Sequence, residues 1–252
     1  MRSSPLSASW GCGLRGSVPA WRRSRTWSRL AIAAAACLGF AVLALSAWAQ
    51  PAEYSGAEIR ARVVDAETQK PLEAVFVVAR WDLSQLMTRG HTPLHAMEAI
   101  TDANGEFYFP PWGPKPRPTF SRLWGGDPLL IFFKPGYEPH GASNPYAPDD
   151  SAVRVSYWHG RTIELKPFRG TPEIWVQLLV QLQDLLDWAD ITPTAPHRVN
   201  DYWKYYPRTV LAILHARPSI PEPIRYRVRT LEPWQVSEQE LRAAAQRKGL
   251  SP

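Results

Sequence analysis

The sequence predicts a mainly β domain followed by a helical C-terminal extension. Between residues 58 and 168, apolar and polar residues alternate over short segments that end in turn formers, which is the pattern of half-buried strands. After Phe168 the apolar residues recur every three or four positions, as in an amphipathic helix. Residues 1–49 have the composition of an export leader. We therefore divide the chain into a leader (1–49), a polar linker (50–57), a β domain (58–168) and a helical extension (169–252).

Three features in succession predict the leader. Arginines without any acidic residue come first, at Arg2, Arg15, Arg22, Arg23, Arg25 and Arg29. An apolar run of 19 residues follows, from Leu30 to Trp48. Small residues then occupy the two positions that signal peptidases inspect, Ala47 and Ala49, so we expect cleavage between Ala49 and Gln50. The same run is near the lower length that spans a bilayer, so a retained membrane anchor is the alternative.

The leader also accounts for the charge and the cysteine content of the chain. The whole chain has a formal net charge of +6, and the six leader arginines supply all of it. The mature chain is therefore neutral, which argues against a basic groove for nucleic acid. Both cysteines, Cys12 and Cys37, also lie in the leader. Without a thiol, the mature chain has no disulfide, no thiolate nucleophile and no cysteine-ligated zinc.

Short segments of alternating polarity predict the strands of the β domain. The first begins at Glu58 and places Ile59, Ala61 and Val63 on one face. Further strands are expected at 74–81, 98–101, 106–109, 129–134, 152–158 and 161–165, the last two as a closing hairpin. The stretch 82–99 is compatible with a short helix or a long loop. Six prolines within 110–128 favour a loop there, because proline cannot donate to the ladder inside a sheet.

Capping residues and apolar spacing predict three helices in the extension. The first covers 173–189, with Thr171 as its N-cap and Pro172 at its first position. A second lies within 200–216, where Pro207 either kinks the helix or begins a new one. The last opens at the capping box 237–240 and ends at Gly249. The apolar stripe of the first helix packs on the rest of the chain or forms a protein–protein interface.

Four segments in order resemble the carboxypeptidase regulatory-like family. They are the opening strand, 64–72 (VDAETQKPL), 101–107 (TDANGEF) and 134–137 (KPGY), and the resemblance covers about 57–166. Gln69 stands where the family often has glycine. The resemblance implies a transthyretin-like (prealbumin-like) β-sandwich of seven or eight strands. It also implies a non-catalytic accessory domain, because the catalytic domain of the carboxypeptidases is not part of the likeness.

Asparagine and glycine at the turn 102–105 predict a tight reversal, since both tolerate positive φ angles. Asp102, Asn104 and Glu106 also offer oxygens to calcium, but further acidic ligands for a full coordination sphere do not follow. A plain turn is therefore the favoured interpretation.

Catalytic motifs are absent from the sequence. It contains no Gly-x-Ser-x-Gly, no Walker A loop and no Gly-x-Gly-x-x-Gly, and the adjacent Asp149 and Asp150 have no catalytic spacing. His95 and Glu98 match the His-x-x-Glu spacing of a zinc pair, and His91 would share a face with His95 on a helix. We expect no enzyme active site and no cofactor, and a small zinc-dependent hydrolase is the alternative.

Aromatic residues are the remaining candidates for a binding site. Tyr202, Trp203, Tyr205 and Tyr206 fall within five residues, and Trp158 lies at the tip of the expected closing hairpin. Exposed aromatic rings stack on sugars and on extended peptides. Alternatively, these rings cover the β domain and hold the helical extension on it.

Together these features predict an exported cell-envelope protein whose β domain acts as a binding or interaction module. The expected partner is an envelope protein, a glycan or a peptide, and nucleic acid is not expected. Cleavage would make the protein periplasmic or secreted, whereas a retained leader would anchor it in the inner membrane, facing the periplasm. An assembly or scaffold protein that uses the helical extension is a further alternative.

Overall fold

The computed structural model describes residues 52–85, 91–123, 126–145, 151–186, 201–231 and 236–249, which all lie in the compact unit Ala47–Pro252. Their strands are β1 (Glu53–Gly56), β2 (Ile59–Asp65), β3 (Phe76–Gln85), β4 (His91–Ile100), β5 (Glu106–Phe109), β6 (Trp112–Pro116), β7 (Ser121–Leu123), β8 (Leu129–Phe133), β9 (His140–Ala142), β10 (Val153–Arg154) and β11 (Thr162–Leu165). Their α-helices are α1 (Pro172–Leu186), α2 (Pro207–Ala216), α3 (Glu222–Arg225) and α4 (Glu238–Gly249). Two 3-10 helices, Asp201–Tyr205 and Arg217–Ser219, flank α2.

The strands form three sheets. The first has the order β10-β1-β6, the second β11-β2-β5, and the third β4-β3-β8-β9 with β7 also paired to β3. The pairs β1–β10 and β2–β11 are parallel, and the other pairs are antiparallel. The prediction of a mainly β chain with C-terminal helices is therefore confirmed.

The segment 50–57 was expected to be a polar linker, but it contains strand β1. Its Tyr54 is completely buried, and Gly56 lies directly beneath the indole of Trp112. A Cβ atom on Gly56 would come within 2.1 Å of that ring, so only glycine fits this position. Tyr54 is the one apolar residue among the four of β1, so the segment shows no alternation of polarity by which a strand could be predicted. The strand forms because the neighbouring strands β6 and β10 supply its backbone hydrogen-bonding partners.

The described residues of the stretch 82–99, which are 82–85 and 91–99, lie in strands and not in the helix or long loop that the mixed composition suggested. Instead β3 runs on to Gln85 and β4 starts at His91, so the two strands make a long antiparallel pair with an irregularity at Trp81 and Asp82. The side chains of β3 alternate between two buried faces, with Val77 on one and Val78 on the other. A strand buried on both faces lacks the polar alternation by which strands are recognised in a sequence.

Two further expectations for the β domain are corrected. The proline-rich segment is not wholly a loop, because it contains β6 and β7. Strand β6 lies at the edge of its sheet, where the missing N–H groups of Pro114 and Pro116 are tolerated. The expected closing hairpin is also absent from this region, since β10 pairs with β1 while β11 pairs with β2 in another sheet.

The apolar faces of the three sheets enclose a first core. The residues that define it come from every sheet, and they include Tyr54, Ile59, Val63, Val77, Ala79, Trp81, Phe107, Phe109, Trp112, Leu130, Phe132, Ile163 and Leu165. No disulfide is needed to hold it, since its aromatic and branched side chains remove large apolar areas from water.

A second core lies on the other face of the five-stranded sheet, where the helices pack. The stripe of α1 (Val176, Leu179, Leu182 and Leu186) and the inner face of α2 meet Val78, Ile131 and Phe133 of the sheet. The buried part of the stripe is thus covered within the chain, whereas Ile174 at the start of α1 is exposed.

Glu98 joins the sheet to α2. Pro207 begins this helix rather than kinking a longer one, and the N-cap residue Tyr206 makes no side-chain cap. The fully buried Glu98 carboxylate takes the place of a cap. It accepts hydrogen bonds from the backbone N–H of Thr209 (2.5 Å) and its hydroxyl (2.7 Å), and from the backbone N–H of Arg208 (3.2 Å) and its Nε (3.1 Å). A carboxylate at a helix N-terminus also interacts favourably with the helix dipole.

The last helix starts as predicted. Ser237 and Glu240 form the reciprocal capping box, with the Glu240 N–H donating to the Ser237 hydroxyl (3.2 Å) and the Ser237 N–H donating to the Glu240 carboxylate (2.8 Å). Among the helices of the described residues, none combines the length and the apolar character that crossing a bilayer requires.

Replacing Glu98 by Gln should loosen the helices from the sheet. The change removes the charge that strengthens four hydrogen bonds, so we expect a loss of about 2 kcal/mol in the free energy of unfolding. That corresponds to a Tm lower by about 4–8 °C. Thermal denaturation of Glu98→Gln beside Glu106→Gln, an exposed glutamate of β5, is the measurement. Equal Tm values for the two variants would contradict the role given to Glu98.

Candidate functional site

An open cleft of about 820 Å³ lies between the helices and the five-stranded sheet. We call it the helix–sheet cleft. It is lined by Phe76, Ile100, Pro135, Gly136, Phe168, Gly170, Pro172, Trp175, Arg208, Leu211, Ala212, His215, Ala216, Ser219, Ile220 and Pro221. Its volume is within the range of sites that hold small ligands or short peptide segments.

Local structure at the end of the sheet shapes one side of the cleft. Phe76 and Ile100 are cross-strand partners at the ends of β3 and β4, so both side chains reach the cleft from one edge. The turn that follows β8 passes beside them, and Gly136 adopts a φ of +85°, which glycine accepts without strain. Phe168 and Trp175 close the wall with ring centroids 5.0 Å apart.

The helix α2 forms the opposite wall. The face of α2 toward the cleft carries Leu211, Ala212 and His215. His215 is three residues after Ala212 and four after Leu211, which places the three residues on one side of the helix. Leu214 lies on the same helix but lines a different, smaller hollow. This difference offers a matched pair of leucines for testing the cleft.

The ionisable residues of the cleft are basic. They are Arg208 and His215, and none of its described lining residues is acidic. The Arg208 side chain is 24% exposed and pairs with the buried Glu98 behind it. His215 is exposed, with Nε2 at 3.9 Å from the Glu238 carboxylate. The cleft therefore presents an apolar bed with two basic residues at its α2 wall.

Two of the candidate zinc ligands, His95 and Glu98, are not brought together. His95 lies on the face of β4 that meets the first core, whereas Glu98 is three residues on and lies on the face toward the helices. In a strand, two residues that are three positions apart lie on opposite faces of the sheet. On a helix, the same spacing would place them on one face. The side chain of His91 lies outside the described residues, among which no three His, Cys, Asp or Glu side chains cluster as metal ligands would.

His95 instead lies in an aromatic cage. Its ring stacks on Trp81 with centroids 5.8 Å apart and lies 4.8 Å from Trp112, and its Nδ1 is 2.9 Å from Nζ of Lys115. Burial and the positive charges of Lys115 and Lys248 lower the pKa of His95 from 6.5 to about 4. The ring is therefore neutral near pH 7, and a charged Lys115 donates to its Nδ1.

The aromatic residues that were candidates for a binding platform are buried to different degrees. Trp203 and Tyr206 are 8% and 1% exposed and belong to the second core, where the Tyr206 hydroxyl donates to the carbonyl of Leu186. Trp158 is half-buried, and its Nε1 donates to the carbonyl of Ser143 (3.1 Å). Tyr205 is exposed, and the Tyr202 side chain lies outside the described residues. The buried rings hold the helical part on the sheet and cannot stack on a ligand.

The turn at 102–105 uses its polar groups internally. The Asp102 carboxylate accepts from the backbone N–H of Asn104 (2.9 Å) and of Glu106 (2.8 Å). Gly105 has a φ of +74°, and a Cβ there would lie 2.3 Å from the carbonyl of Val63. These contacts account for the sequence of the turn without a calcium ion. The pair Asp149 and Asp150 falls outside the described residues.

A polar contact that the sequence reasoning missed joins two of the family-like segments. One oxygen of Asp65 accepts from the N–H of Glu67 (2.9 Å) and of Thr68 (2.8 Å), and the other accepts from the Tyr137 hydroxyl (2.9 Å). These hydrogen bonds lower the pKa of Asp65. Burial, together with the Asp65 carboxylate, raises the pKa of Tyr137. Gln69, in the same loop, has a φ of +59°, the conformation that glycine would adopt more easily.

Comparison with known proteins identifies no relative. No family model matches the chain, and no curated protein matches it. Among solved structures, a 9R-lipoxygenase from Cyanothece PCC8801 aligns with a TM-score of 0.24 and 16% identity, over 77% of this chain and 26% of that chain. The chain thus spans about a quarter of the length of that protein. A likeness at this score supports no conclusion about fold or activity.

The neutral state of His95 should make stability depend on pH. The unfolded chain binds a proton near pH 6.5 but the folded one only near pH 4, so stability falls as the pH is lowered through this window. We expect the His95 contribution to be about 1–2 kcal/mol, after allowing for solvent screening of a half-buried ring. Urea unfolding from pH 7 to pH 4 measures it.

The variant His95→Gln should show a smaller loss over the same window. Some pH dependence will remain, because burial and Lys166 also lower the pKa of His140. An unchanged pH dependence in His95→Gln would show that His95 is not held neutral by the fold.

Proposed function

We propose that this protein is an exported, non-catalytic binding module of the cell envelope and that the helix–sheet cleft is its ligand site. The observation that carries the proposal is the cleft itself, an apolar hollow of about 820 Å³ with the basic residues Arg208 and His215 at one wall. Apolar pockets with a few convergent polar groups are the usual sites of ligand binding in proteins.

The lining of the cleft selects the ligand chemistry. Phe76, Phe168, Trp175 and Leu211 offer an apolar bed, and Arg208 and His215 are its ionisable groups. An apolar ligand with a single carboxylate matches both features, since the carboxylate can take charge-assisted hydrogen bonds at the α2 wall. A fatty acid and the carboxyl terminus of an apolar peptide share this chemistry.

A non-catalytic role is supported by the use that the fold makes of its polar residues. The Glu98 carboxylate is occupied by the N-terminus of α2, and His95 is occupied by Lys115. The side chains of His95 and Glu98 are not adjacent. The described residues therefore contain no cluster of ligands for the zinc-hydrolase alternative.

We also propose that the β domain is a transthyretin-like sandwich of the carboxypeptidase regulatory-like kind. The support is the contact between the segments that carry the resemblance. Tyr137 of the Lys-Pro-Gly-Tyr segment donates to Asp65 of the Val-Asp segment, and the Thr101 hydroxyl bonds the backbone of Leu72 (2.6 Å) and Val75 (2.9 Å). The residues behind the likeness thus act together as fold-determining contacts.

Ligand binding is tested by calorimetry on residues 50–252 with dodecanoate and with trileucine that has a free carboxyl terminus. Dodecanol and amidated trileucine serve as the counterparts that lack the carboxylate. We expect these two compounds to bind about tenfold more weakly, because they lack the charge-assisted hydrogen bonds. Tighter binding of dodecanoate would identify the natural ligand as a fatty acid, and tighter binding of trileucine would identify it as a peptide carboxyl terminus.

The leucine pair on α2 provides the matched control. Leu211→Gln should weaken binding about tenfold, since it makes the apolar bed polar, and Leu214→Gln should leave binding unchanged. Binding of neither carboxylate, or equal effects of the two substitutions, would refute the cleft as the ligand site.

Export is tested by mass spectrometry of the protein from the envelope fraction of a bacterial host. We expect the mature chain to begin at Gln50, and Ala49→Phe to prevent cleavage because signal peptidase accepts only small residues there. Ala49→Ser should be cleaved normally. An intact leader in the wild-type protein would instead establish the membrane-anchored form.

A further inference from the structure

The smaller hollow that Leu214 lines contains two arginines. It has a volume of about 480 Å³ and lies beside the C-terminal end of α2. Its lining residues are Leu214, Arg217, Pro218, Arg225, Thr230, Leu231, Val236 and Glu238. We call it the arginine hollow. None of these residues also lines the helix–sheet cleft, so the two are separate places on the surface.

Backbone carbonyls hold the two guanidinium groups of the arginine hollow. Arg217 directly follows α2, and its Nε donates to the carbonyl of Val228 (3.2 Å). Arg225 donates through Nε to the carbonyl of Ile220 (2.9 Å), and through Nη2 to the carbonyls of Ile220 (2.8 Å) and Pro218 (3.3 Å). Because a carbonyl oxygen carries no net charge, these hydrogen bonds orient the guanidinium groups without neutralising them.

The positive charge of the arginine hollow lacks a counter-charge. Arg217 and Arg225 are both partly buried, and within the described residues neither forms an ion pair with a carboxylate. Glu238, the acid among the described lining residues, is itself paired with Arg242. Both Nη atoms of Arg217 and Nη1 of Arg225 have no hydrogen bond to a described residue. These nitrogens can therefore donate to an anion.

We propose that the arginine hollow binds the phosphate group of a phosphate monoester. Guanidinium groups pair with phosphate through parallel N–H···O bonds, and a phosphate monoester supplies close to two negative charges above pH 7, one for each arginine. Leu214, Leu231 and Val236 offer apolar surface to the organic part of the ester. The proposal does not depend on ligand binding in the helix–sheet cleft.

The first test is calorimetry at pH 8 on the mature chain, residues 50–252, with hexyl phosphate. Hexyl sulfate has the same shape and one charge less. We expect hexyl phosphate to bind, and hexyl sulfate to bind about tenfold more weakly because its charge-assisted hydrogen bonds are weaker. Hexyl phosphate should also raise the Tm of the protein, since it binds the folded state. Absence of both binding heat and a Tm shift would overturn the proposal.

Two arginines of one segment provide a matched pair of variants. Arg217→Gln should weaken binding of hexyl phosphate about tenfold, although glutamine can still donate to the carbonyl of Val228. Arg227→Gln removes the same charge, but Arg227 is exposed and is not a lining residue, so binding should be unchanged. Equal losses in the two variants would show a general attraction to positive charge and would overturn the proposal.

The leucine pair of α2 separates the two sites, even if Arg217→Gln is poorly folded. Leu214→Gln should weaken hexyl phosphate binding about fivefold and leave dodecanoate binding unchanged, because Leu214 lines only the arginine hollow. Leu211→Gln should have the opposite effects. Loss of hexyl phosphate binding in Leu211→Gln but not in Leu214→Gln would place the phosphate in the cleft and overturn the proposal.

Vesicle flotation identifies the source of the phosphate monoester. The headgroup of phosphatidic acid is a phosphate monoester, whereas that of phosphatidylglycerol is a diester. Preferential binding to phosphatidic acid that Arg217→Gln weakens would identify a lipid. Binding of hexyl phosphate without binding to either vesicle would identify a soluble ester. Both results support the arginine hollow as a phosphate site.

Discussion

Burial of the five-stranded sheet on both faces is the constraint on which the rest of the structure depends. Successive residues of β3 serve different cores, since Val77 and Ala79 pack among the strands while Val78 packs under the helices. The amphipathic helices α1 and α2 are stable because this second face receives their apolar stripes. The helix–sheet cleft is a consequence of the same arrangement. It opens where the helices meet the edge of the sheet at Phe76 and Ile100.

Buried charge on the helix-facing side gives this packing a defined orientation. Apolar contacts are non-directional, but Glu98 accepts hydrogen bonds from the first turn of α2. Arg80 lies on the same face, where it bonds Asp82 (3.0 Å) and the carbonyl of Leu185 near the C-terminus of α1 (2.5 Å). A carboxylate at one helix N-terminus and a guanidinium at another helix C-terminus complement both dipoles. Glu98, the carboxylate of the candidate zinc pair, is thus used to place a helix.

Features encoded by neighbouring residues could be predicted from the sequence. The capping box at Ser237, the start of α1 at Pro172 and the turn at Gly105 rest on contacts within a few positions.

Features that depend on distant partners could not be predicted from the sequence. Tyr54 lies in a strand only because β6 and β10 flank it, and the prolines of β6 are tolerated only because that strand is an edge. The zinc alternative with His91, His95 and Glu98 relied on helical periodicity, whereas in a strand a separation of three residues places His95 and Glu98 on opposite faces. The cleft was missed because its lining comes from segments more than a hundred residues apart, such as Phe76 and Leu211.

We infer that the helices and the five-stranded sheet unfold as one cooperative unit, which keeps the cleft between them in place. Native-state hydrogen exchange of the backbone amides of α2 and β3 measures this cooperativity. We expect the amides of 210–216 and of 77–81 to exchange with similar free energies of opening, close to that of global unfolding. Exchange of the α2 amides through an opening of much lower free energy, while the β3 amides stay protected, would show instead that the helices detach separately from the sheet.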